Sequence, residues 1–271
     1  MSTPYFQLLG HVYLAVHSYD QSSEVASAVD GVAEPSLDLE RGGELLERGL
    51  ELPDRRLQEA EDDRITEHNL HSSASEVEMW LQTTRFEIKQ AVDDPGVRAK
   101  TFGVGIEVED HVVEVVARAV RMISMIRTNG TLHDQYGTGR KVKDTLIRGN
   151  NLLKMVLKDG DDLMRPGSAE DPDAEVFEDI RRSKRELIEW VDRLAETADK
   201  LRDRPEVLGE LGYVPEGVGL PVGGTGYGIT LHERSHRNPP DPDEKEDPDP
   251  GWTIGRQGRN SENMGKGWLE G

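Results

Sequence analysis

The chain has 271 residues, of which 53 are acidic and 33 basic, and its formal net charge is −20. It contains no cysteine, which excludes disulfides, thiolate metal sites and cysteine nucleophiles. The acidic excess runs along the whole chain, so it opposes general binding to nucleic acid or to an anionic membrane. Self-repulsion of this kind is tolerated where salt screens it, and the composition therefore suggests a halophilic protein.

The first predicted element is an apolar helix over residues 4–29. Five residues at steps of four and three form one stripe on it: Tyr5, Leu9, Val12, Val16 and Tyr19. Its other sides are apolar too, so we expect the body or another subunit to cover most faces. A short helix should follow from Ser36 and end at Pro53. The apolar start is shorter than the about 20 residues that span a bilayer and has no basic region, so we expect no membrane segment.

Three further segments carry helical periodicity strongly. Residues 54–92 contain two interleaved sets spaced seven apart: Leu70, Val77, Thr84 and Ala91, and Ala74, Leu81 and Ile88. This heptad seam indicates bundle or coiled-coil packing. Residues 106–127 form the most apolar segment, which predicts a central helix. Residues 140–164 and 171–202 continue the pattern, and the whole predicts a mainly α fold, an up-and-down bundle of about four long helices.

Helical periodicity stops near residue 205, where glycine and proline take over. Residues 205–271 hold 14 of the 28 glycines and 8 of the 14 prolines. Such a segment predicts an extended, irregular C-terminal arm. Three parts are therefore expected: N-terminal helices over 1–53, a helical bundle over 54–204 and the arm over 205–271. These patterns show no internal repeat.

The arm carries isolated apolar residues in a polar, glycine-rich context. They are candidate anchors for a partner: Tyr227, Ile229, Leu231, Trp252, Ile254, Trp268 and Leu269. Tryptophan is enriched among the residues that dominate binding energy at interfaces. The alternative is that the anchors fold back on the chain's own bundle.

The arm also contains a match to a zinc-protease motif. His232, Glu233 and His236 fit the pattern H-E-x-x-H, in which two histidines one helical turn apart bind zinc and the glutamate acts as a base. Glycines precede the motif and Pro239 and Pro240 follow it, which disfavours the required helix. A zinc-dependent hydrolase is therefore an alternative function, against a coincidental match.

A second alternative comes from the basic segment 140–158. It contains Arg140, Lys141, Lys143, Arg148, Lys154 and Lys158, and the run from Arg181 to Arg185 could extend it. A nucleic-acid-associated regulator would use such a surface, but the segment lacks the aromatic residues that stack on bases. In so acidic a chain, basic helices are expected to pair with acidic neighbours or with an adjoining subunit.

The pattern as a whole favours assembly over catalysis. We expect a non-enzymatic structural protein, an oligomeric helical connector whose arm docks on neighbouring subunits, as in a virus particle, tail or similar assembly. The expected partners are copies of the chain and other assembly subunits, with neither nucleic acid nor membrane. No cofactor or metal is expected, and the expected location is the cytoplasm or a particle assembled there.

Overall fold

The computed structural model describes residues 3–32, 37–59, 64–102, 112–137, 140–165 and 174–214. All of them belong to one compact unit, Met1–Glu233, while a second unit, Arg234–Gly271, lies outside the described residues. The regular structure of the described residues is helical, without a strand. The predicted α class is therefore confirmed.

Six long helices build the body in the described part of the chain, where about four were expected. They are α1 (Tyr5–Gln21), α3 (Leu39–Glu59), α4 (Arg64–Ala91), α6 (Val112–Thr128), α8 (Arg140–Leu163) and α9 (Ala174–Asp199). The shorter elements are α2 (Ser23–Val32), α5 (Pro95–Phe102), α7 (Gly130–Leu132), a π-helical turn (His133–Gly137) and α10 (Pro205–Glu210). The helix predicted over 4–29 is thus divided into two helices at Ser22.

Helices α1 and α6 form the centre of the body. Every residue of α6 except Arg118 is buried, and α1 is buried on most sides, as the sequence predicted for both. The two helices touch at Gly10, where a Cβ atom would lie 2.9 Å from Cγ1 of Val116. The close approach of the two backbones explains the glycine at this point.

Two outer pairs, α3 with α9 and α4 with α8, flank the centre. The heptad seam predicted on α4 faces inward, since all its members are buried except Ala91, which is exposed. In each pair an indole ring crosses to the neighbouring helix over a glycine. Trp190 lies over Gly42 and Trp80 lies over Gly149. We call these two positions the glycine notches.

Helix α3 continues through Pro53 to Glu59, whereas the sequence predicted an end at Pro53. A proline inside a helix leaves the carbonyl four residues earlier without its N–H donor. That carbonyl belongs to Gly49, and the hydroxyl of Tyr5 donates to it at 3.2 Å. A side chain from α1 thus compensates for the proline, and the expected boundary after residue 53 falls inside a helix.

Residues 205–214, which the sequence placed in the arm, pack on the body. They form α10 and a turn in which Leu211, Tyr213 and Val214 are buried. Gly212 has a φ of 75° in this turn, a conformation that favours glycine. The remainder of the predicted arm, 215–271, lies outside the described residues.

Candidate docking surface

The outer side of α4 exposes two large apolar side chains. Met79 is 56% exposed and Phe86 is 63% exposed. Because they are seven residues apart, they lie two helical turns apart on one face. The only other exposed large hydrophobic residue in the described ranges is Met155 of α8, at 46%. Exposed Met and Phe on one surface are typical of protein interfaces.

The same side of α4 is almost free of charge. Nine residues of α4 between Ser72 and Gln90 are exposed, and we call them the α4 face: Ser72, Ser75, Glu76, Met79, Gln82, Thr83, Phe86, Lys89 and Gln90. Only Glu76 and Lys89 are charged, and the two charges cancel. The hydroxyl of Thr83 donates to the carbonyl of Met79 at 2.9 Å, so burial would not leave it unpaired. The face is about 27 Å long at 1.5 Å per residue, and it could be covered at a small desolvation cost.

Basic residues are exposed on α8, a helix that packs against α4. Lys143, Arg148, Lys154 and Lys158 are exposed, and Lys158 pairs with Asp162 on its own helix at 3.5 Å. The run that could extend a nucleic-acid surface is on α9, where Arg181 pairs with Glu178 at 2.6 Å. The structure thus places exposed basic residues of the predicted segment on a helix that packs against α4, and Lys158 pairs with an acidic neighbour as expected.

A small cleft opens between α4, α5 and α6. It measures about 90 Å³, and its lining includes Arg85, Phe102 and Arg118. Burial, and then the charge of Arg118, lower the pKa of Arg85. Arg118 pairs with Glu114 on its own helix. Ligand pockets are usually about 300–1,000 Å³, so this cleft is too small to enclose a typical substrate.

The most deeply buried ion pair of the described ranges, Arg121 with Glu210, is structural. The Arg121 guanidinium donates to the Glu210 carboxylate at 3.0 Å, to the Ser18 hydroxyl at 3.1 Å and to the Lys100 carbonyl at 2.7 Å. Burial raises the pKa of Glu210, and the charge of Arg121 opposes that shift. These bonds join α10 to α1, α5 and α6, and they hold residues 205–210 on the body.

The sites predicted in the arm lie outside the described residues. They are the seven anchors from Tyr227 to Leu269 and the motif residues His232, Glu233 and His236. Within the described ranges, no group of three or more His, Asp or Glu residues could hold a metal ion. None of the described helices combines the length and hydropathy needed to cross a bilayer.

The α4 face was not predicted, although the sequence contains a signal for it. Met79 and Phe86 lie outside the heptad seam of α4 but share its seven-residue spacing. Large apolar residues on the far side of an amphipathic helix indicate a second covered face. Comparison of the chain with protein-family models, with curated proteins and with solved structures found no match.

Proposed function

We propose that this protein is a non-enzymatic assembly component, a helical connector that binds other protein subunits. The observation that carries the proposal is the α4 face, a nearly uncharged strip that exposes Met79 and Phe86 on a chain of net charge −20. Full burial of a Met or Phe side chain contributes about 1.5–3 kcal/mol. Met79 and Phe86 could therefore anchor a partner, while the acidic surface elsewhere limits unspecific association.

The predicted arm supplies a second docking element in this proposal. Tyr227, Trp252 and Trp268 are anchors of the kind that a connector uses on a neighbour. A chain that ends after Val214 keeps all the buried residues of α10 and the turn that follows it. The arm and the α4 face can thus be tested separately.

Solution mass tests the proposal directly. Light scattering in molar potassium chloride should give the full chain a mass above the 30.3 kDa of one copy. Met79→Glu with Phe86→Glu should lower that mass, because two carboxylates would have to be buried at the interface. Ending the chain after Val214 should lower the number of copies per assembly if the arm contributes to the interface.

The matched control adds the same two charges elsewhere. Ser23→Glu with Ser27→Glu on α2 changes two exposed neutral residues and should leave the mass unchanged. Circular dichroism should show the same helix content in every variant. A full chain that is monomeric, and that binds no other protein through either element, would contradict the proposed function.

A further inference from the structure

Helices α3 and α8 share a sequence pattern. The pattern L-x-R-G-x-x-L-L-x-x-x-L-x-x-x-D begins at Leu39 and again at Leu146, so seven of 16 positions are identical at an offset of 107 residues. The shared glycines, Gly42 and Gly149, are the two glycine notches. An internal repeat is therefore present, although the helical patterns alone did not reveal it.

Helices α4 and α9 share a second pattern. The sequence S-x-x-E-x-x-x-W begins at Ser73 and at Ser183, an offset of 110 residues. Its tryptophans are Trp80 and Trp190, which occupy the two notches. Each indole N–H donates to the carbonyl four residues before the notch glycine: Trp80 to Thr145 at 3.1 Å and Trp190 to Asp38 at 2.8 Å. The two contacts are the same contact made twice.

The contacts between helices follow the repeat. The first half supplies α1, α3 and α4, and the second supplies α6, α8 and α9. Helix α3 of the first half carries Gly42 and packs on α9 of the second half, which carries Trp190. Helix α8 of the second half carries Gly149 and packs on α4 of the first half, which carries Trp80. Helix α1 packs on α6. Gly10 and Ala117, which are 107 residues apart, touch each other, since a Cβ on Gly10 would lie 3.6 Å from the Ala117 nitrogen. This pattern is that of a two-fold dimer joined into one chain.

The repeat provides an internal reference for the α4 face. Seven of its residues are neutral, and the residues 110 positions later, on α9 and directly after it, are all charged: Arg182, Arg185, Glu189, Asp192, Arg193, Glu196 and Lys200. Met79 corresponds to Glu189, and Phe86 to Glu196. Met155 corresponds to Arg48, which pairs with Glu186 at 2.7 Å. Every exposed large hydrophobic residue of the described ranges thus corresponds to a charged residue in the other half. Because the two halves have the same helix arrangement, the fold does not require apolar residues at these positions.

We propose that the α4 face binds a second copy of this chain, as an antiparallel pair of α4 helices. The inference rests on the proposed assembly function and names the partner. A two-fold axis between Gln82 and Thr83 brings Met79 of one copy opposite Phe86 of the other, a favourable sulfur–aromatic contact. The face carries no net charge, so two copies do not repel there.

A single engineered thiol tests this arrangement, because the chain has no cysteine. Thr83→Cys places a thiol beside the proposed axis, where the facing Cα atoms come within the about 4–7 Å that a disulfide spans. Under mild oxidation in molar salt, the full chain should form a covalent dimer. Arg193→Cys, the matched exposed position on α9, should form no covalent dimer, because its thiol lies away from the proposed axis.

A second substitution gives the expected size of the effect. Met79→Glu in the Thr83→Cys chain should slow crosslinking at least about tenfold, because it buries a carboxylate in place of an apolar side chain. Two results would overturn the inference. One is equal crosslinking of the Thr83→Cys and Arg193→Cys chains. The other is no crosslinking of the Thr83→Cys chain under conditions where the thiol of the Arg193→Cys chain reacts freely with a thiol reagent. If light scattering still showed an assembly, the proposed function would stand with a different partner.

One further outcome identifies a different occupant. A monomer whose thiol at position 83 resists the reagent, and reacts only after the chain is ended at Val214, would show that residues 215–271 cover the α4 face. That result would also overturn the inference. It would leave a self-contained chain, and so it would count against the proposed function as well.

Discussion

At the scale of single residues, His11 is the most unusual group in the core. It is fully buried in α1, and neither ring nitrogen has a hydrogen-bond partner among the described residues. Burial lowers its pKa to about 4, so the folded protein holds a neutral ring. Gly212 lies close by, since a Cβ there would be 3.8 Å from the His11 Nδ1 atom. Protonation of His11 would therefore place a charge in the core beside the turn that contains Gly212.

The contribution of His11 to the free energy of unfolding should decrease as the pH falls from about 6.5 to about 4. In this range the unfolded chain binds a proton at His11 and the folded chain does not, which favours unfolding. A shift from 6.5 to about 4 corresponds to about 3 kcal/mol at the lower end of the range. His11→Leu should remove that part of the pH dependence in urea titrations. His68→Gln, which changes an exposed ring, should retain it, and equal slopes in the wild type and His11→Leu would contradict the account.

At the scale of helices, the glycine notches determine which helices pair. Glycine has a low helix propensity, so both Gly42 and Gly43 should weaken their helix by themselves. The structure separates the two positions. A Cβ on Gly42 would lie 2.6 Å from Cζ2 of Trp190, whereas one on Gly43 would have nothing within 4 Å. At Gly42 the low helix propensity is offset by close packing against the Trp190 ring, whereas at Gly43 no such contact offsets it.

Alanine at the two adjacent positions should change stability in opposite directions. Gly42→Ala should lower the free energy of unfolding by about 1–3 kcal/mol, because the indole ring must move in a packed core. Gly43→Ala should raise it by about 0.5–1 kcal/mol, through helix propensity alone. Urea titrations of both variants provide the measurement, and a gain in stability for Gly42→Ala would show that the notch is not tightly packed.

At the scale of the whole molecule, net charge is the dominant feature. Most ion pairs of the described body are exposed, such as Arg181 with Glu178 and Arg202 with Asp199, and exposed pairs contribute about 0–1 kcal/mol each. They do not balance a net charge of −20. Repulsion among the excess acids should therefore limit the stability of the folded chain in dilute salt.

The free energy of unfolding should rise as potassium chloride increases from about 0.1 M to about 1 M, over which the Debye length falls from about 10 Å to about 3 Å. Screening weakens the long-range repulsion more than it weakens the few short ion pairs. Urea titration at each salt concentration measures the effect. Sucrose, which carries no charge, serves as a control for general solvent effects. A stability that is constant or falls with salt would contradict the halophilic interpretation.

Local periodicity predicted much of the fold. It identified the α class, the central position of α6 and the inward seam of α4, because each depends on residues within one helix. It failed where the decisive contact is distant in sequence. The helix through Pro53 depends on Tyr5, and the burial of residues 205–214 depends on Arg121 and Glu210.

Residue type and spacing were enough to indicate the helical class and the acidic surface. They also contain both copies of the repeat, but the repeat became apparent only from the two matching glycine notches in the structure. That the glycine of each copy packs against the tryptophan of the other copy follows only from the tertiary structure, because it depends on which helices pack together. The tertiary structure also decided which side of α4 stays uncovered. Met79 and Phe86 are apolar in any fold, and they form a docking surface here because the body packs on the opposite side of their helix.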